Sequence, residues 1–198
     1  MPSSSSVRIL ALVGSLRTAS YNRAAFRAAQ AIAPEGVALD PFDPLGELPL
    51  FNQDLEQPAP QIVQRMKTDI RSADAILFVT PEYNYSIPGV LKNAIDWGSR
   101  PYGDSAWDGK PCAMMGASVG MLGTARAQYH LRQMCVFLNM YPLNQPEVMI
   151  ANAAEKFDGQ GQLTDEKTRR KLRELLEALA SWTRQLTVAR QLNHAGRS

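Results

Sequence analysis

Residues 75–97 run Ala75-Ile-Leu-Phe-Val-Thr-Pro-Glu-Tyr-Asn-Tyr-Ser-Ile-Pro-Gly-Val-Leu-Lys-Asn-Ala-Ile-Asp-Trp97, and the fold follows from how this stretch is read. Ala75 to Thr80 is a short apolar run without alternation, which fits a strand buried on both faces. Pro81 stops it. Pro88 to Trp97 then reads as a helix with proline in its first turn, where a missing N–H costs least. Between the two lies a stiff loop with two tyrosines and an asparagine.

Working outward, the same grammar recurs. Val7 to Val13 is a buried strand ending at Gly14-Ser15. A helix follows through Ala33, with Phe26, Ala29 and Ile32 at helical spacing and Asn22 as its N-cap. Pro34-Glu35-Gly36 ends it. Val37 to Phe42 is a weaker strand that enters a proline-rich loop, Pro41 to Pro60. Ile62, Val63, Met66, Ile70 and Ala73 mark the next helix. Cys112 to Ala117 is a fourth apolar run, Thr124 to Phe137 is helical in composition, and Glu147 to Ala151 is a fifth strand. Leu172, Leu175, Leu176, Leu179, Trp182 and Leu186 form one stripe of a last helix, with Asp165 and Glu166 at its positive end.

Strands alternating with helices predict a three-layer α/β fold, a parallel sheet with helices on both faces. Five strands suggest the flavodoxin-like order 2-1-3-4-5, in which ligands sit beyond the carboxyl ends of strands one and three. Residues 1–198 are read as a single domain, with residues 1–6 and 194–198 as disordered tails.

Composition narrows the function classes. The chain has 198 residues, 45% of them hydrophobic, and a net charge of +2. That balance argues against a nucleic-acid binder and weakly against an acidic electron carrier. No apolar run approaches the ~18 residues of a membrane span, and no signal peptide is evident. Cys112 and Cys135 form no CxxC pair and read as reduced, buried thiols of a cytoplasmic protein.

Three strand-to-loop junctions fall on the carboxyl edge of the expected sheet. In the first, Gly14 to Asn22, a helix N-terminus offers free backbone N–H groups. Ser15, Ser20 and Asn22 add short polar groups and Arg17 a charge, a set suited to phosphate. Gly14 stands alone and no Gly-Lys-Ser/Thr follows, which disfavours a dinucleotide fingerprint or an NTPase loop. The second, Pro81, Glu82, Tyr83, Asn84 and Tyr85, offers aromatic rings and a rigid backbone to a planar ligand. The third, Gly116 to Thr124, lets backbone approach a ligand closely. Each also has a plain structural reading, as a capped turn, a packed loop or a glycine-rich helix entry. Taken together on one sheet edge, they suit a ligand with a phosphate at one end and a flat polar ring at the other, which is FMN.

These loops resemble the NAD(P)H-dependent FMN reductase family, which includes bacterial quinone, chromate and azo-dye reductases. Gly14-Ser15-Leu16-Arg17 with Ser20 and Asn22 resembles its phosphate loop. Pro81 to Asn84 with Ser86 to Trp97 resembles its second signature, and Pro49 to Leu55 a further segment. The likeness spans residues 7 to 150. It implies FMN phosphate on Ser15, Arg17, Ser20 and Asn22, with Tyr21 also in the cofactor site. It sets the ring against Pro81 to Tyr85 and the loop holding Ser118, Val119, Gly120 and Gly123. It also implies a homodimer or homotetramer with sites near the subunit contacts, and Arg100 near flavin and contact.

The expected reaction is ping-pong transfer from NAD(P)H to FMN and then to a small acceptor such as a quinone, azo compound, chromate or free flavin. The cofactor performs the chemistry, so no catalytic side chain is required. His130 and His194 read as ordinary histidines, Lys92 and Asp96 as an i, i+4 ion pair, and Glu82 as structural. The other classes to weigh are a flavodoxin-type electron carrier and a flavin-free binding module.

Overall fold

The computed structural model describes residues 6–195. Its sheet has six strands, all parallel: β1 (Val7–Val13), β2 (Val37–Pro41), β3 (Ala75–Val79), β4 (Pro111–Ala117), β5 (Tyr141–Pro142) and β6 (Val148–Ile150). The order is β2-β1-β3-β4-β5, with β6 also on β4. The helices are α1 (Tyr21–Ala31), α2 (Gln61–Ser72), α3 (Gly89–Gly98), α4 (Ala125–Phe137) and α5 (Glu166–Ala195). The flavodoxin-like fold read from the sequence is present.

The central strands are apolar on both faces because both faces are covered. Along β3, Leu77 and Val79 pack toward α1 and α5, in a core with Phe26, Ala29, Leu172 and Leu176. Their neighbours Ile76 and Phe78 pack the other way, with Met66, Ile70, Leu91 and Leu131 of α2, α3 and α4. One alternating strand thus feeds two cores, and its ends point the loops one way.

Four details differ from expectation. The expected strand at Glu147 to Ala151 is present as β6, but a further two-residue strand, β5, precedes it on the same edge of β4. β5 pairs with Pro111 and Cys112, β6 with Met115 to Ala117, and Pro146 between them has no N–H to carry the ladder through. The cap of α1 is Ser20, not Asn22: the Ser20 hydroxyl accepts from Asn22 N at 3.2 Å and Arg23 N at 3.3 Å. The proline-rich loop is not featureless, since it holds 3-10 turns at Asp43–Glu47 and Gln53–Leu55.

Lastly, α5 runs on through Ala195, so the frayed end expected from His194 begins inside a helix. Trp182 and Leu186 of its stripe are half-buried, and Val188 and Leu192 beyond them are exposed. The remaining tail residues, 1–5 and 196–198, lie outside the described residues. The start of α5 is capped by Asp165, which accepts from Thr168 N at 2.8 Å and from the Thr168 hydroxyl; those donors hold its carboxyl below the usual range.

The second signature explains itself here. Asn93 and Trp97 stand one turn apart on α3 and grip the backbone of the loop that follows β2. Trp97 Nε1 donates to Pro49 O at 2.7 Å and Asn93 Nδ2 to the same oxygen at 2.9 Å. Asn93 Oδ1 accepts from Phe51 N at 2.7 Å. The expected pair of Lys92 and Asp96 is present on the exposed side, at 2.7 Å.

Candidate functional site

The three loops meet at the carboxyl ends of β1, β3 and β4, where the strand order reverses, a position that favours ligand binding. They border a cleft of about 220 Å³ lined by Ser15, Arg17, Tyr21, Pro81, Tyr83 and Val119, with Ser20, Asn22, Glu82 and Ser118 also in its wall. Ten of the fifteen sequence-predicted residues therefore share one cleft. Asn84, Tyr85, Gly120 and Gly123 lie on the same loops but do not line it.

The first loop leaves donors free. None of the backbone N–H groups from Ser15 to Tyr21 has an acceptor among the described residues. They precede a helix whose dipole adds positive potential. Among the described residues Arg17 hydrogen-bonds only within its own loop, donating to Ala19 O at 2.6 Å, with its guanidinium 5.7 Å from the centre of the Tyr21 ring.

Asn22 is committed elsewhere. Its Oδ1 accepts from Ala117 N and its Nδ2 donates to Ala117 O, both at 2.9 Å. β3 ends at Val79, opposite Met115, so the Asn22 amide extends the ladder one step where no strand remains. This clamp ties the first loop to the third.

The second loop is a tight turn. Tyr83 and Ser86 exchange backbone hydrogen bonds at 3.0 Å, and the residues between them, Asn84 and Tyr85, have φ of 50° and 67°. Both central residues left-handed is the geometry of a hairpin turn, and tyrosine there carries strain. The Arg126 guanidinium lies 3.7 Å from the centre of the Tyr85 ring. The Glu82 carboxylate, nearly fully buried, accepts from Arg126 N at 3.0 Å and Ala127 N at 3.2 Å and pairs with the Arg126 guanidinium. Glu82 thus caps α4 from a distance. His130, exposed on α4, places Nδ1 3.2 Å from Ser86 Oγ.

The third loop depends on close approach. A Cβ at Gly116 would overlap the Thr80 carbonyl oxygen and Thr124 Oγ1, and one at Gly123 would stand 3.0 Å from the Met149 carbonyl carbon. Gly123 also has φ of 61°.

Arg100 lies outside this cleft. It follows α3, its Nε 2.7 Å from Glu56 Oε1 and its guanidinium 3.9 Å from the centre of the Tyr102 ring; Glu56 pushes its pKa higher still. Buried Lys67 fixes that loop, donating to Arg100 O and to Asp104 Oδ2 at 2.7 Å. Sequence reading also missed Arg126. A basic residue in the first turn of a helix opposes the dipole, and that anomaly is a cue to look for a carboxylate from another loop.

The model of the NADPH-dependent FMN reductase family matches residues 7–155. An NAD(P)H-dependent FMN reductase of Pseudomonas aeruginosa is 51% identical over 184 residues, covering 92% of this chain and 98% of that one. A 2-hydroxy-1,4-benzoquinone reductase of a Burkholderia species is 44% identical, over 92% of this chain and 99% of its own. Among solved structures, the flavoenzyme NAD(P)H:(acceptor) oxidoreductase of Paracoccus denitrificans superposes with a TM-score of 0.83 at 38% identity, covering 90% of this chain and 98% of that one. The chain belongs to the NADPH-dependent FMN reductase family and is therefore an oxidoreductase of flavodoxin-like fold.

Proposed function

We propose that the cleft binds FMN and that the whole chain is one FMN-binding domain. The domain takes reducing equivalents from NAD(P)H and passes them to a small acceptor of the quinone class. The observation that carries this reading is the row of unpartnered backbone N–H groups from Ser15 to Tyr21 on a cleft whose other walls are the Tyr83 turn and the Ser118 loop. Free donors, a helix N-terminus and Arg17 match a phosphate dianion. The N–H groups of Glu82 and Val119, without acceptors among the described residues, match the polar edge of a flat heterocycle.

When bound, FMN supplies two-electron chemistry to both half-reactions. The chain's part is to hold and shape. Ser15, with the N–H groups around it, and Arg17 fix the phosphate. Asn22 keeps the first and third loops at a constant spacing. Glu82, by anchoring Arg126 behind Tyr85, keeps the second loop in its left-handed turn. Exposed Tyr83, Val119 and Met121 leave an apolar approach for nicotinamide and acceptor in turn. The names of the relatives do not favour a flavodoxin-type carrier.

Replacing Arg17 with alanine is expected to weaken FMN binding about tenfold to a hundredfold, the range for a charge-assisted hydrogen bond to phosphate, with the far-UV circular dichroism unchanged. Fluorescence titration of FMN reads this, and unchanged affinity removes the phosphate assignment.

We further propose a cytoplasmic homodimer or homotetramer. Tyr129, Val136 and Phe137 are exposed on α4, and Val136 is 83% accessible. Such an apolar strip on a soluble chain marks an interaction surface. The buried free thiols Cys112 and Cys135 suit a reducing compartment. Sedimentation equilibrium should return a mass of two or four chains; a monomer at micromolar concentration refutes the assembly. Among the described residues no helix is long and apolar enough to cross a membrane.

A further inference from the structure

The phosphate loop has two sides. One faces the cleft described above. The other borders a second, larger cleft of about 460 Å³, closed opposite by the turn Asp158 to Gly161. Arg17, Ser20 and Tyr21 line both. The two spaces are therefore neighbours across a wall one loop thick, and a ligand reaching over that loop would occupy both.

The second cleft has an unbalanced charge. Arg27, one face of α1 below the loop, has no hydrogen bond or ion pair among the described residues. Its guanidinium reaches the turn, with Nη2 3.3 Å from where a Cβ of Gly161 would stand. Gly161 has φ of 74°, so the turn both needs glycine and leaves room for the guanidinium. The one carboxylate on the rim, Asp158, turns its Oδ1 into its own turn, accepting from Gln160 N at 2.9 Å and Gln162 N at 2.8 Å. Arg23, four residues before Arg27, is 4.0 Å from Asp43 in a hollow with Phe42 that Arg27 also borders, but Arg23 does not line the cleft beside the phosphate loop. Of the two arginines on α1, Arg27, exposed and without an acidic partner among the described residues, is the one that reaches the cleft beside the phosphate loop.

We propose that this second cleft receives the adenosine 2′-phosphate of NADPH, with Arg27 as its cationic partner, so that Arg27 selects NADPH over NADH. The inference rests on the reading that the first cleft holds FMN. The nicotinamide would then lie over the Tyr83 and Val119 side, and the rest of the dinucleotide would cross the Arg17–Tyr21 loop. NADH differs from NADPH by the 2′-phosphate alone, so a planar, permanently charged guanidinium at that end discriminates without touching the reacting atoms.

The test uses Arg27→Gln, which keeps a polar side chain of good helix propensity. With FMN in saturating excess, adenosine 2′,5′-bisphosphate and 5′-AMP are titrated by calorimetry against the wild type and the variant. The variant is expected to bind the bisphosphate about tenfold more weakly, with 5′-AMP affinity the same in both. In steady-state assays the ratio of kcat/KM for NADPH to that for NADH should fall by the same factor, through KM. An equal change for both nucleotides, or unchanged bisphosphate binding, overturns the proposal. Failure of the FMN reading is seen separately, as flavin fluorescence that neither protein quenches.

Discussion

Asn22→Ala is expected to cost about 3 kcal/mol of stability and to release FMN with it. The substitution removes one side chain but strands two buried main-chain groups, Ala117 N and Ala117 O, each now paired with the Asn22 amide at 2.9 Å. An orphaned buried donor or acceptor costs about 1–3 kcal/mol, and neighbouring strands offer no replacement. β3 has ended on one side of Ala117, and Ile150 already takes the other. Urea denaturation followed by circular dichroism measures the loss directly. Asn22→Asp makes a sharper probe, because it keeps the acceptor for Ala117 N but sets a carboxylate against Ala117 O. It should be nearly as destabilising. A loss below about 1 kcal/mol in both variants would show that water substitutes for the amide.

Gly116→Ala should be as damaging, for a reason of space. The added methyl would overlap the Thr80 carbonyl oxygen and Thr124 Oγ1 and come within 2.9 Å of Thr124 Cγ2. A flexible side chain could swing aside, but a carbonyl at the junction with Pro81 cannot, so β3 and β4 must part. Overpacking of this kind costs about 1–3 kcal/mol or more. Because the two strands carry the second and third loops, FMN affinity should fall alongside the thermal midpoint. Gly89→Ala is the matched control: nothing lies within 4 Å of its added carbon, and alanine is the better helix former. It should be neutral or slightly stabilising. Equal midpoints for the two variants would refute the packing argument.

Much of this was legible in the chain. Buried parallel strands announce themselves as short unalternated apolar runs, and Val7–Val13, Ala75–Val79 and Pro111–Ala117 all do. Their alternation with helices determines the order of the sheet, and the order determines which loops converge. Boundaries governed by local competition were less legible. Ser20 and Asn22 are both good caps, and the choice between them is settled by Ala117, ninety-five residues away. The strand expected at Glu147 to Ala151 is there, but the two-residue strand Tyr141–Pro142 before it is too short to leave a pattern of its own. Arg100 sits among aromatic and acidic neighbours from Glu56 and Tyr102, a grouping no motif spacing encodes. The capping of α4 by Glu82 is likewise a meeting of two distant segments.

The grip of Asn93 and Trp97 on the stretch from Pro49 to Phe51 works through peptide oxygen and nitrogen, the atoms common to every amino acid. The route of that stretch is therefore insured against most changes in its own side chains. Leu50, 83% accessible in the middle of it, is the natural place for sequence to drift without moving the chain.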